Sequence, residues 1–317
     1  MKVTDHIKNA KDTLFSFEIL PPKKGESIET LFGHIDPLME FKPPFIDVTY
    51  HREEFVYKTR EGGLLERKTV RKRPGTVGIC AAIKHRYDVD PVPHIICGGF
   101  NMEETENALI DLNFLGIDNL LALRGDAMKS EATFVPDEGG HSYASQLIEQ
   151  IQGMNQGHYL DEELQNAVPT DFCIGVAGYP EKHFEAPNLN IDLKYLKKKV
   201  ELGAEYIVTQ MFFDNQKYFE FVDKCREAGI DIPIIPGLKP LTTLRHLQML
   251  PSVFHLDLPD ALADEVANCK DNKGAREVGV EWTIHQSKEL MEKGVPVLHY
   301  YSMGKSENVY RIAKALF

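Results

Sequence analysis

Short apolar, β-branched runs alternate with amphipathic stretches along nearly the whole chain. This is the pattern of a parallel sheet whose strands are joined by crossover helices. It predicts strands at Leu14–Leu20, Phe45–Tyr50, His94–Cys97, Asn119–Leu123, Phe172–Ala177, Tyr206–Phe212, Ile232–Pro236 and Val297–Tyr301. Several of these are near-continuous apolar segments, as expected when helices cover the sheet. Between them, Asn101 followed by Glu104 is a capping-box signature that opens a helix over Met102–Leu115. Asp192 can cap a helix that places Leu193, Leu196 and Val200 on one face and ends at Gly203. Tyr218, Phe221, Val222, Cys225 and Ala228 form a similar core-facing stripe before Gly229. The run Val77–Ile83 suits either a strand or a helix. Pro74 ahead of it, the Ala81–Ala82 pair and a continuation to Tyr87 favour the helix. That choice leaves eight strands, the number that closes a barrel.

Two stretches, Ala127–His141 and Gly153–Thr170, read as long loops flanking the fifth strand. Loops of that length inside a compact domain are more often functional or disordered than neutral. No repeat, low-complexity tract or linker divides the chain, so residues 1–317 are expected to form one α/β domain, a (β/α)8 TIM barrel.

The formal net charge of −12 disfavours phosphate backbones and so argues against nucleic acid, although a local basic pocket can still hold a small anion. Cys80, Cys97, Cys173, Cys225 and Cys269 are scattered, with no C-x-x-C pair, and read as buried thiols of a reducing compartment. The polar stretch Met1–Asp12 has no apolar signal core, and no segment approaches the roughly 18 apolar residues of a membrane span. A cytoplasmic protein that binds no membrane is expected.

Several chemistries are not indicated. No G-x-G-x-x-G follows a strand, no H-E-x-x-H or other metal-ligand spacing occurs, and there is no G-x-S-x-G elbow. Gly304-Lys305-Ser306 resembles the end of a P-loop, but His299 stands where the first glycine of that loop is required.

In a β/α barrel, reacting groups sit at the C-terminal ends of the strands. The polar residues there are Glu18 on the first strand, Thr49, Tyr50 and His51 at the second, and His94 on the third. Arg124-Gly125-Asp126 ends the fourth, Tyr179, Glu181 and His183 follow the fifth, Gln210 lies near the end of the sixth, and Lys305 follows the eighth. A glutamate inside Phe17-Glu18-Ile19-Leu20 carries a burial cost that no solvated strand face relieves. Singly, each residue suits a buried salt bridge or a surface role. Gathered at strand ends, they favour a site.

These segments resemble the methylenetetrahydrofolate reductase family from Ser16 to Lys305. The resemblance rests on Ser16-Phe17-Glu18 with Pro21-Pro22, on Asp47-Val48-Thr49-Tyr50-His51, on Pro93-His94 with Cys97, and above all on Asn119–Asp126. Val176-Ala177 through Glu181 with His183, Thr209-Gln210 with Phe212-Phe213-Asp214, and Pro236-Gly237 extend it. The resemblance implies a short, bacterial-type enzyme without the regulatory extension of eukaryotic members. It implies non-covalent FAD held by Thr49, Tyr50, His51, His94, Arg124, Gly125, Asp126, Tyr179, His183, Asp192 and Lys199. It places folate against Glu18, Asp126, Gln210, His246 and Lys305, with NADH or NADPH as co-substrate in a ping-pong reaction feeding methionine synthesis, and it implies a homo-oligomer. Glu18 would be the acid that opens the one-carbon bridge, while Asp126, ionised beside Arg124, would stabilise the iminium cation. The chain departs from the family at Tyr301-Ser302-Met303-Gly304, at Lys305 where some members have arginine, at His246 for a glutamine and at Leu250 for an aromatic. A proline-dehydrogenase-type barrel flavoenzyme and a cofactor-free barrel lyase or isomerase are the competing readings.

Overall fold

Closure of a single parallel sheet organises the chain, which the computed structural model describes over residues 1–128 and 131–317. The barrel strands are β1 (Leu14–Ile19), β2 (Phe45–Val48), β3 (Asp90–Ile96), β4 (Asn119–Leu123), β5 (Cys173–Gly178), β6 (Tyr206–Thr209), β7 (Ile234–Ile235 and Gly237–Leu238, broken at Pro236) and β8 (Val297–Tyr301). The two halves of β7 close the ring: Ile234–Ile235 pairs with β6, and Gly237–Leu238 pairs with β8. β8 in turn pairs with β1. The fold is a (β/α)8 TIM barrel, as expected, and the ambiguous segment is the helix Thr76–Tyr87.

Strand β3 begins four residues earlier than the expected His94. Pro91 and Pro93 lack N–H donors, and proline is disfavoured inside a paired strand. Asp90 donates to Pro44 beside β2, so the two prolines face β4, whose pairing with β3 starts only at His94. Their missing donors therefore leave no ladder bond unmade. The antiparallel hairpin Glu54–Thr59 with Leu65–Val70, inserted after β2, was not anticipated. Both of its strands are largely exposed and it covers no core, so no buried face marks it in the sequence.

Inside the barrel, side chains stack in layers. Phe45, Val92, Leu121, Cys173, Tyr206, Val208, Ile235 and Val297 form the apolar lower part, closed below by Val3 of the first helix. That helix is tied on by Asn119, whose side chain accepts from Val3 N at 2.8 Å and donates to Met1 O at 2.9 Å. Gly175 makes room for Tyr206, whose hydroxyl donates to Leu120 O at 3.1 Å. Outside, helix stripes pack on the strands through Leu109, Leu112, Leu147, Leu193, Leu196 and Phe221, among others.

The capping box of the helix Met102–Phe114 has both of its arms, Asn101 and Glu104. The helix Leu189–Glu201 is capped by Asn188, not by Asp192. Asp192 lies inside the first turn and accepts from His183 N at 2.8 Å. The two long loops both precede β5 instead of flanking it, with the helix Ala144–Asn155 between them. The first includes residues 129 and 130, which lie outside the described residues. The second runs to the N-terminal face of the barrel, where Asn155 Oδ1 accepts from Thr170 Oγ1 and Phe172 N. Only the first borders the barrel mouth. Four of the cysteines are buried, and all five are free thiols. No helix among the described residues is long and apolar enough to cross a membrane.

The layered interior yields a stability test. A methyl at Gly175 overlaps the Tyr206 ring, which is walled in on every side. Gly175→Ala is expected to cost about 1–3 kcal/mol by overpacking. Adding Tyr206→Leu should recover part of that loss, measured as a double-mutant cycle in urea.

Candidate active site

The upper end of the barrel interior is polar. Glu18 and Asp47 are register partners on β1 and β2, and Glu18 also aligns with Tyr301 on β8. His94 Nε2 lies 3.9 Å from Glu18 Oε2 and 3.5 Å from Asp47 Oδ2. The other Asp47 oxygen is 4.0 Å from His299 Nδ1, which shares a 2.8 Å hydrogen bond with Ser16 Oγ. Neither oxygen of Asp47 nor Nε2 of His94 has a hydrogen-bond partner, so charge holds this cluster together. The rim above it is fixed by Ser302 Oγ donating to Glu18 O at 2.6 Å and by the Tyr301 hydroxyl donating to Thr209 O at 2.6 Å. Gly237 is required here, because a side chain would overlap the Tyr301 ring and the Thr209 carbonyl.

Burial dominates the electrostatics. It pushes the Glu18 carboxyl up to about 7; His94 and Lys239 oppose the shift and Asp47 adds to it. Burial alone would lower His94, yet Asp47 and Glu18 lift it above the usual imidazole value. Lys239, just past β7, is lowered to about 8 by burial, partly offset by Glu18. Burial depresses His299. A carboxyl that is neutral part of the time near pH 7 stands beside a cation, which is an arrangement for delivering a proton.

A second group lines the mouth beyond β4 and β5. Arg124 makes a bidentate pair with Glu185 at 2.6 and 2.9 Å, and its guanidinium lies 5.1 Å from the Phe134 ring. Gly125 follows at φ +86, pressed against Ile96. Glu185 N donates to His183 Nδ1 at 3.2 Å, and the His183 ring meets Tyr179 edge-on at 4.8 Å. Lys199 Nζ donates to Ala177 O at 2.8 Å, and burial, partly countered by Asp192, lowers this amine to about 8. Arg124, Tyr179, His183, Asp192 and Lys199 are thus gathered into one cluster.

The remaining predicted residues are more dispersed. Thr49 bonds Ile19 O, Tyr50 meets the Phe100 ring at a tilt with centroids 4.9 Å apart, and exposed His51 donates from Nδ1 to Tyr50 O. Gln210 is half-buried, with its Oε1 accepting from Met211 N. His246 Nδ1 accepts from Thr242 N at 3.2 Å; burial and Lys239 lower it to about 4. Lys305 is exposed. Asp126 is exposed too; it stands near enough to Arg124 to act on its charge, while the carboxylate ion-paired with Arg124 is Glu185. Leu250 is fully buried in a satellite core. Asp47, Lys239 and His299 were not singled out from the sequence. The signal for Asp47 and His299 was the one that marked Glu18, a polar residue between apolar neighbours in a barrel strand.

The sequence profile of the methylenetetrahydrofolate reductase family matches residues 2–317. The 5,10-methylenetetrahydrofolate reductase of Escherichia coli K12 is 31% identical over 304 residues, covering 95% of this chain and 90% of the relative. Methylenetetrahydrofolate reductase 1 of Schizosaccharomyces pombe is 33% identical over 321 residues, covering all of this chain; the chain spans about half, 48%, of that relative's length. Among solved structures, an uncharacterized protein from Clostridium thermocellum described as binding two copies of 5-methyl-5,6,7,8-tetrahydrofolic acid aligns with a TM-score of 0.60. It is 16% identical and covers 98% of this chain and 95% of its own, a likeness of fold.

The raised Glu18 carboxyl makes stability depend on pH. Folded Glu18 keeps its proton to about 7, whereas the unfolded chain loses it near 4.5. Stability from this group is therefore fully present below the lower value and is lost as pH rises through the higher one. Glu18→Gln is expected to stabilise the protein by about 1–3 kcal/mol at pH 8 and to change little at pH 4. Urea titrations at the two pH values check this, and equal effects at both would mean an ordinary carboxyl.

Proposed function

The chain belongs to the methylenetetrahydrofolate reductase family, and on that premise we propose that it reduces 5,10-methylenetetrahydrofolate to 5-methyltetrahydrofolate with NADH or NADPH through bound FAD. The observation that carries this reading is the Glu18 carboxyl, buried at the mouth end of β1 and pushed up to about 7. The folate-binding description of the Clostridium thermocellum protein of like fold agrees with a folate at such a mouth.

The mouth residues suit a flat, anionic dinucleotide. Tyr50, Tyr179 and His183 offer aromatic surface, Arg124 and Lys199 offer positive charge, and Arg52 Nη1 is buried without a hydrogen-bond partner. Thr49, His51, His94, Gly125, Asp126 and Asp192 complete the proposed FAD contacts. When bound, the flavin supplies a two-electron carrier between nicotinamide and folate.

The residues themselves govern the proton. The one-carbon unit of the substrate bridges two nitrogens and accepts a hydride only after the bridge opens to an iminium cation. Opening needs a proton on the departing nitrogen, and Glu18 donates it. The carboxylate left behind is offset by His94 at 3.9 Å and by Lys239. Asp126 faces the developing cation from the rim. Gln210 and His246 orient the folate, and Lys305 meets the carboxylates of its tail.

Glu18→Gln separates the two half-reactions. Glutamine is nearly isosteric, so FAD content and bleaching by NADH or NADPH should remain near normal. Reoxidation of the pre-reduced variant by methylenetetrahydrofolate should slow by about 10²–10⁴-fold or more, because glutamine has no proton to give. Anaerobic stopped-flow follows both phases. Reoxidation at the wild-type rate would remove Glu18 from the role of acid, and loss of both phases together with flavin would make it structural.

A further inference from the structure

Asp47 lies on β2 between Ile46 and Val48, is 1% exposed, and has no hydrogen bond to either carboxylate oxygen. A bare carboxylate in that position is heavily penalised unless a cation stands beside it. Two imidazoles flank it. His299, 4.0 Å away, is engaged with Ser16 and is held below the usual imidazole value by burial. His94, 3.5 Å away, has its Nε2 between Asp47 and Glu18 with no hydrogen bond of its own. The geometry therefore singles out His94 as the cation, with one nitrogen serving both carboxyls.

We propose that Asp47 is a positioning residue: it holds His94 as an imidazolium against Glu18, and through that cation it sets the pH range over which Glu18 carries its proton. The proposal rests on Glu18 being the acid of the folate reaction. Other groups act on the same cluster. Lys239, past β7, and Tyr301, on β8, interact with Glu18, while His51, at the end of β2, and His299 interact with His94.

Loss of the Asp47 charge has two opposite consequences for Glu18. Directly, removing a nearby anion makes Glu18 easier to ionise. Through His94, removing that anion takes the proton off the imidazole near neutrality, and the loss of this cation makes Glu18 harder to ionise. His94 stands directly against the Glu18 carboxyl at 3.9 Å and is the nearer counter-charge acting on it, so the indirect effect is expected to exceed the direct one. The sign of the change therefore separates a residue acting through His94 from one acting directly or only structurally.

The test compares FAD-loaded wild type with Asp47→Asn and Asp47→Ser. Nitrogen NMR of histidine-labelled protein should show His94 as an imidazolium at pH 7 in wild type and as a neutral ring in both variants. Flavin content and bleaching by NADH or NADPH should be retained. The alkaline limb of the folate half-reaction should move to higher pH. The same shift should appear in the carbonyl-stretch titration of Glu18 by difference infrared, which needs no turnover. A protein that shows the infrared shift but never reacts with folate would sink the functional reading and leave the role of Asp47 standing. A neutral His94 in wild type at pH 7 would overturn the proposal even if neither variant folds. A limb that moves to lower pH, or not at all, would overturn it as well.

Discussion

A closed parallel barrel has no solvated strand face, so every inward polar side chain must be offset by another inward side chain. Glu18, Asp47, His94, Lys239 and His299 are the groups caught in that constraint. Each is one residue in a strand, or just past its end, and none has water on a free face of the sheet to fall back on. What would be a set of ordinary surface charges becomes a coupled cluster whose proton occupancy is set by geometry. The raised Glu18 and the lowered Lys239 both express this burial, while Asp47 and Glu18 lift His94 against it.

The rest of the molecule serves that cluster. Apolar layers from Phe45 to Val297 fill the lower barrel and keep water from reaching it from below, with Val3 closing the end. Gly175 and Gly237 give up side chains so that Tyr206 and Tyr301 can lie across the interior. Helix stripes hold the strands in register from outside. The loops after β4 and β5 contribute the Arg124–Glu185–His183 chain at the mouth, and the helix Leu189–Glu201 adds Asp192 and Lys199 behind it. Most of the proposed flavin contacts lie in these loops and the proposed proton chemistry in the strands, with His94 on β3 assigned to both.

The eight strands and the helix Thr76–Tyr87 were legible because apolar periodicity and helix punctuation record burial directly. The hairpin Glu54–Thr59 with Leu65–Val70 was not, since neither of its faces is buried and it has no core to serve. The early start of β3 was hidden by Pro91 and Pro93, which are tolerated only because their side of the strand is unpaired at that level. Asn188 displaced Asp192 as a helix cap because Asp192 is held by the His183 amide. Within the site, Glu18 stood out as an acid among apolar neighbours. Asp47 carried the same signal, but the strand-end motif around it drew notice to Thr49, Tyr50 and His51. The pairing of Arg124 with Glu185 depends on a loop meeting a strand end across 61 residues, which no local pattern records.

The proton chemistry proposed for the site depends on burial holding the Glu18 proton near neutral pH in the resting protein. Carbon NMR of protein labelled at the glutamate side-chain carboxyl, with Glu18→Gln identifying the resonance by its loss, measures this directly between pH 4 and 9. The account predicts a Glu18 midpoint near 7. A midpoint near 4.5, the value of a solvated glutamate, would contradict it.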